Sequence, residues 1–346
     1  LSEYYHSHTY SPFDVSLQDR TLWADICASS PDLASAFLAF PYILMAAQDF
    51  PGIRICAIKR EGRTIAFLPY QFASRTHRLL GFGQRVGGEL NDSFGLVAAP
   101  DCELSPLRLL RLAGLNALLF THLDQGQARF GLAGSQPQPG LRIDLSLGSA
   151  AYWEALKRRD KRFVADTERR ERKLIEAHGP LRLSFHHDNS DAELTRLIAR
   201  KREQYARTGV ADSLADAKTR QFLRRLVKSD DPLCRGVMST LHAGSTWVAS
   251  HFGLMHHGTL HFWFPVYNPD LQPFSPGRIL VASLIGQADA LGIRCIDRGV
   301  GDSQAKRDFA NAEHTFTRGL WHRHTVSAGL IRAGLSLRWR LDGMGA

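Results

Sequence analysis

The chain has 346 residues, 44% of them hydrophobic and 22% charged, the make-up of a globular protein long enough for two domains with separate cores. No run approaches the ~18 consecutive apolar residues that a membrane-spanning helix needs. The net charge of +9 and the pI near 9.5 favour anionic partners: phosphorylated cofactors, nucleotide sugars, RNA or an acidic membrane face. Charge alone does not choose among them.

Leu1 to Tyr10 has neither a basic stretch nor an apolar core, so no signal peptide is read there, and the absence of an initiator Met leaves room for residues upstream. Cys27, Cys56, Cys102, Cys234 and Cys295 are far apart and form no CxxC pair. They read as reduced, mostly buried thiols of a cytoplasmic protein, and no ligand spacing for a metal can be assembled around them or around the paired histidines His186-His187 and His256-His257.

Periodicity predicts helices over 16–28 and 32–49, then strands over 53–59 and 64–70 joined by a tight turn, and a further strand over 78–82. A glycine-rich loop leads to Asn91-Asp92. Ser105 opens a helix whose Leu107, Leu110, Gly114 and Leu118 share one face, and Gly134–Gly140 reads as a linker. The second half repeats this order. Helices are predicted over 151–177, 191–207 and 217–228, followed by a hairpin (235–241, 246–252), a strand over 259–264, a helix over 276–291, a strand over 295–297 and a short helix over 304–311. The hairpin turns Gly62-Arg-Thr64-Ile-Ala66 and Gly244-Ser-Thr246-Trp-Val-Ala249 are alike, which points to duplication of one α/β unit. The expected domains are residues 1–145 and 146–328, with a tail over 329–346.

Chemistry concentrates late in the chain. An aromatic strand carrying Trp263 and Tyr267 runs into Ser275-Pro276-Gly277-Arg278, where a helix begins. Pro costs little at a helix start, and Gly allows close backbone approach, so the first free N–H groups can receive a pyrophosphate with Arg278 beside it. A plain loop capped by Ser275 explains the same residues. Next, a buried strand delivers Asp297, and Gly299-Val-Gly301-Asp302 turns the chain towards Lys306. Lys306 in a first helical turn fits an anionic ligand, or a structural pair with Asp302. The helix over 157–173 carries nine basic and four acidic side chains, a pattern of a solvated face or of a phosphate-reading surface.

The order strand, Ser-Pro-Gly helix, strand, Asp-x-Gly-x-Gly-Asp-x-x-x-Lys resembles the GNAT-type acetyltransferases of cellulose biosynthesis (CelD-like), distantly similar to the FemAB peptidoglycan aminoacyltransferases. The likeness runs from about Trp23 to Trp321 and includes Phe67-Leu-Pro69, Asn91-Asp92 and the basic helix. It departs at Ala305, where an aromatic residue often stands, and in lacking a clean Q/R-x-x-G-x-G/A pyrophosphate signature.

This resemblance implies an α/β (α+β) fold of tandem GNAT-like acyl-CoA N-acyltransferase domains, with mixed, mostly antiparallel sheets flanked by helices and the active site in the second. It implies acetyl-CoA or another acyl-CoA as co-substrate, no metal, and acyl transfer to an amine or hydroxyl of a sugar-containing or lipid-linked acceptor in exopolysaccharide, cellulose or envelope synthesis. A polysaccharide-synthase complex and a peripheral membrane contact through the basic tail are compatible with it; DNA is not an expected partner. Candidate proton handlers are Asp297, Asp302, Tyr267 and His251; Ser275, Pro276, Gly277, Arg278 and Trp263 would hold the cofactor; Lys306, Gly301, Asn91 and Asp92 would hold substrate. Two alternatives stand beside this assignment: a FemAB-like transferase using aminoacyl-tRNA, and a non-catalytic GNAT scaffold within a polysaccharide-synthesis complex.

Overall fold

A computed structural model describes residues 5–186 and 190–343, so His187 lies outside the described residues. The chain divides into two compact units, Leu1–Gln138 with Thr315–Ala346, and Pro139–His314.

The first unit carries β1 (Tyr5–Tyr10), α1 (Leu17–Ala28), α2 (Phe40–Asp49), β2 (Ile53–Arg60), β3 (Arg63–Gln71), α3 (Arg75–Leu80), β4 (Phe82–Gln84), β5 (Val97–Ala98), α4 (Pro106–Leu112) and β6 (Ala117–Asp124). The second carries β7 (Gln136–Asp144, its first residues still in the first unit), α5 (Ser149–Arg159), α6 (Lys161–His178), β8 (Leu181–Phe185), α7 (Ser190–Thr208), α8 (Ala217–Val227), β9 (Arg235–Ala243), β10 (Thr246–His256), β11 (Thr259–Tyr267), α9 (Pro276–Gly286), β12 (Cys295–Val300) and α10 (Gln304–Arg307). The chain then returns to the first unit along β13 (Ala312–His322) and α11 (Val326–Gly343).

Each unit is built on a mixed, mostly antiparallel sheet flanked by helices, the fold class expected. In the first the strand order is β1-β2-β3-β4-β6-β13, with β5 on β3 and a parallel step between β4 and β6. In the second it is β7-β12-β11-β10-β9-β8, parallel only between β11 and β12. One face of this second sheet packs against α5, α6 and α9 through Tyr152, Leu156, Phe163, Ile279, Leu280, Leu284 and Ile285. Val237 points into that core, whereas Gly236 lies against the backbone of Leu226 and Val227 in α8. Alternate strand residues face opposite ways, so α8 covers the other face. Full burial of each aliphatic side chain of α9 is worth ~1.5–3 kcal/mol, which fixes this helix while its first turn stays open.

Several elements differ from the pattern-based expectation. The strand expected over 78–82 is helix α3, because the Ser74 hydroxyl accepts the His77 N–H and Gly81 ends the turn at φ 62°, leaving only Phe82 onward for β4. The helix opened by Ser105 stops at Leu112; Leu118 lies on β6, and Leu107 is partly exposed rather than in a common stripe. The expected linker over 134–140 runs into β7, whose prolines 137 and 139 precede the residues paired with β12. Asp160 breaks the expected helix over 151–177 in two by accepting the Phe163 N–H with its side chain. The helices expected over 276–291 and 304–311 are shorter, ending at Gly286 and Arg307. The second compact unit closes at His314, and β13 pairs with β6. Among the described residues no helix is long and apolar enough to cross a membrane.

Candidate functional site

Strands β11 and β12 pair over three positions only, Thr259 with Cys295, Leu260 with Ile296 and His261 with Asp297, and beyond them the strands part. Against β10, the register of β11 shifts between Phe252–Phe264 and Leu254–His261, so Phe262 and Trp263 together face Gly253. A bulge of this kind bends the strand. Only glycine fits opposite it, since a Cβ at Gly253 would stand 2.1 Å from the His261 carbonyl oxygen.

A cavity of about 500 Å³ occupies the opening. β11 contributes Phe262, Pro265, Val266 and Tyr267 to its wall, α9 contributes Pro276, Gly277, Arg278, Leu280 and Val281, and β12 contributes Arg298; Ser275, Ala305, Asp308 and Phe309 complete much of the rest. Ser275 precedes the helix in the left-handed region at φ 56° and makes no side-chain capping bond, so the first turn of α9 is not closed by its own hydroxyl. At Gly277 the nearest neighbour a Cβ would meet is Tyr267 Cδ1, at 4.0 Å. Arg278 Nη1 lies 2.9 Å from Asp166 Oδ2, and its guanidinium sits over the Phe163 ring. Asp166 also binds Arg170 and Arg169 of the basic helix, and these hydrogen bonds hold its carboxyl well below the usual carboxylate range. Three guanidinium groups around one carboxylate leave a net positive cluster beside the start of α9.

The structure thus brings Tyr267, Ser275, Pro276, Gly277 and Arg278 to one cavity. The other candidates lie elsewhere. Asp297 is buried on the opposite face of β12, where Arg142 Nε lies 3.0 Å away and the Gly299 N–H donates to it. Burial raises its pKa, but His261, Arg142, His314 and that N–H outweigh burial and hold it below the ordinary value. A carboxylate so held is a poor base. Asp302 is ion-paired with Arg307, not with Lys306, whose Nζ donates to the Val300 carbonyl at 2.7 Å and rests against Gly301. Trp263 is half-buried beside Phe264, and its backbone N–H donates to His251 Nε2 at 3.3 Å. His251 is fully buried and stacked on Phe262, with Nδ1 against the Ser239 hydroxyl. Asn91 and Asp92 belong to the first unit: Asn91 Oδ1 accepts the Ser93 N–H, and Asp92 faces His122 at 3.8 Å.

Residues 161–307 match a family model described as an acetyltransferase (GNAT) domain. All the cavity residues named above lie within that span except Asp308 and Phe309, which follow it directly. Among solved structures, the chain is similar to FemX (9% identity, TM-score 0.58, covering 90% of this chain and 96% of that one). It is also similar to the C-terminal domain of a putative lysylphosphatidylglycerol synthetase from Agrobacterium fabrum (12%, TM-score 0.54, 92% and 96%). A conserved protein of unknown function from Bacteroides thetaiotaomicron shares the fold as well (9%, TM-score 0.52, 88% and 97%). At these identities the likeness is one of fold. A search of curated proteins found no match.

Two residues that the sequence did not single out are tied to this opening, Arg298 on its wall and Lys201 through the Pro265 carbonyl. Arg298 follows Asp297 directly, so strand alternation turns it to the cavity face. That alternation was available from sequence; the position of the cavity was not. Lys201, from α7, is 9% exposed and donates to the Pro265 carbonyl at 2.8 Å, and burial pushes its pKa down to about 8. Nothing in the helical pattern around Lys201 separates it from its basic neighbours Arg200, which lies over the Trp247 ring, and Arg202, which is exposed. Among the described residues no group of three or more His, Cys, Asp or Glu could hold a metal ion.

His251 gives a pH prediction. Burial pushes its pKa down to about 3, from an ordinary 6.5. Between these values the unfolded chain binds the proton and the folded one does not, so stability falls as pH drops from 6.5 towards 3. The loss from this residue is about 2 kcal/mol by pH 5. Melting temperatures recorded from pH 7 to pH 5 should fall more steeply for the wild type than for His251→Gln. Parallel curves would mean that His251 is not buried neutral.

Proposed function

We propose that this chain is an acyltransferase that takes an acyl-CoA thioester into the opening between β11 and β12 and passes the acyl group to an amine or hydroxyl. The parting of the two strands is the observation that carries this. Where they separate, edge N–H and C=O groups lose their ladder partners, and an extended chain bearing amides, such as a pantetheine arm, can replace the missing strand. The open first turn of α9 and the cluster of Arg169, Arg170 and Arg278 suit a pyrophosphate at the same cavity's rim.

In this scheme the thioester carbonyl lies beside β11, the acceptor attacks its carbon, and Tyr267 protonates the departing thiolate. Lys201, by holding the Pro265 carbonyl, fixes the strand edge against which the donor is placed. The resemblance to cellulose-biosynthesis acetyltransferases supports a sugar-containing acceptor in exopolysaccharide or envelope synthesis. Calorimetric titration with acetyl-CoA tests the donor: saturable binding below ~1 mM is expected, the upper range of ordinary Michaelis constants. A wild type that gives no binding at that concentration contradicts the proposal.

The fold shared with FemX and the net charge of +9 favour a second scheme, transfer from a charged tRNA. Affinity for aminoacyl-tRNA would then fall steeply with salt as counterions are released from RNA phosphates. A flat salt response, with acyl-CoA binding intact, rejects it. A scaffold without activity would bind neither donor.

A further inference from the structure

We infer that the acyl group taken by this cavity carries a carboxylate of its own, and that Arg298 reads it. This rests on the acyl-CoA assignment and narrows its donor to half-thioesters of dicarboxylic acids.

Arg298 stands one residue beyond Asp297, the last position of β12 paired with β11, and so at the point where the strands separate. Its guanidinium lies over the Phe262 ring, 5.0 Å from the centroid, in a cavity walled largely by apolar side chains. Stacking on the ring occupies the guanidinium face and leaves the N–H edge to bond. Its Nη1 is buried without a hydrogen-bond partner, and among the described residues no carboxylate forms an ion pair with it. Burial lowers its pKa to about 10, so it remains a cation throughout the neutral range.

The other charged groups on the wall are already engaged. Arg278 is bound by Asp166, and Asp308 accepts from the Gln304 side-chain amide. A partly buried guanidinium whose inner nitrogen has no partner is unfavourable without an anion, and its planar fork suits a carboxylate in two-point contact. An acetyl group has no charge to offer it. An aminoacyl group would bring an ammonium towards a cation. A dicarboxylic half-thioester supplies the missing anion while presenting the same reacting carbonyl.

The reaction balances without any further reagent. The acceptor N–H or O–H attacks the thioester carbonyl carbon, a C–N or C–O bond forms and the C–S bond breaks. The acceptor's proton is released as the CoA sulfur gains one to leave as a thiol, and the distal carboxylate is unchanged.

Succinyl-CoA and butyryl-CoA have acyl chains of equal length and differ in that terminal charge. Calorimetric titration of the full chain should show succinyl-CoA binding about tenfold or more tightly, the range for a hydrogen bond to a charged group. Arg298→Met should remove the difference between the two thioesters, and Arg298→Lys should keep part of it, with melting curves to confirm that both variants fold. Equal affinities in the wild type, or a preference for butyryl-CoA, would overturn the inference and leave the acyl-CoA assignment standing. Binding of neither thioester would overturn both.

Discussion

Gly277→Glu should abolish acyl-CoA binding and leave the fold intact. A Cβ at this position meets nothing closer than Tyr267 Cδ1 at 4.0 Å, so the new side chain has room to leave the helix. The backbone at Gly277 is ordinary helix, and a carboxylate in a first helical turn interacts favourably with the helix dipole by ~0.3–1 kcal/mol. Helix α9 is held by Ile279, Leu280, Leu284 and Ile285, none of which the change touches. Gly277 lines the cavity, so the new carboxylate stands at the rim where the donor's pyrophosphate is placed. Like charges brought together at a binding surface cost several kcal/mol, so affinity should fall by at least about 100-fold. Calorimetry and a thermal melt on the same sample separate the two effects. Gly277→Ala, which adds bulk without charge, should lose far less. A Gly277→Glu protein that melts normally and still binds acyl-CoA would remove the pyrophosphate from the start of α9.

Tyr267→Phe should lower kcat about 100-fold, the lower end of what a positioned acid or base contributes, with little change in donor affinity. Tyr267 is 37% exposed at the end of β11 and shares the cavity wall with Gly277. Among the four proton-handling candidates it is the one on that wall. Asp297 is held by Arg142, Asp302 by Arg307, and His251 is buried between Ser239 and Trp263. Removing the hydroxyl keeps the ring and its packing, so a merely structural tyrosine would leave turnover unchanged. Thiol release from acyl-CoA, followed with saturating donor and acceptor, gives the rate. If kcat stays within about twofold of wild type, the thiolate takes its proton from elsewhere, because a loss that small lies far below the acid–base range.

What could be read in advance depended on how local the determining interactions are. The helix start at Ser275-Pro276-Gly277 is written in three adjacent residues, and α9 begins at Pro276. The hairpin turns at Gly62 and Gly244 adopt positive φ, as their residue types require. Elements fixed by distant partners were harder. β6 and β13 pair across nearly two hundred residues, so Leu118 and the segment after Asn311 gave no local sign of a shared ladder. The stretch over 134–140 reads as a linker because of its prolines and glycines; it becomes strand β7 because β12 supplies a partner for the residues that follow.

The site divides in the same way. The cradle at 275–278 follows from local backbone chemistry. The roles expected of Asp297, Asp302 and Lys306 rested on their nearness in sequence to glycine turns, and each is already engaged, Asp297 by Arg142 of the neighbouring strand β7, Asp302 by Arg307 and Lys306 by the Val300 carbonyl. Arg298 and Lys201 matter because of what the sheet brings near them, which no spacing along the chain reveals.

The central claim is that the gap between β11 and β12 receives the donor. A crystal structure of the protein grown with acetyl-CoA tests it most directly. The account predicts a pantetheine arm running between Pro265 and Arg298, with the pyrophosphate against Gly277 and Arg278. Coenzyme bound on another face, or an empty gap at saturating acetyl-CoA, would contradict it.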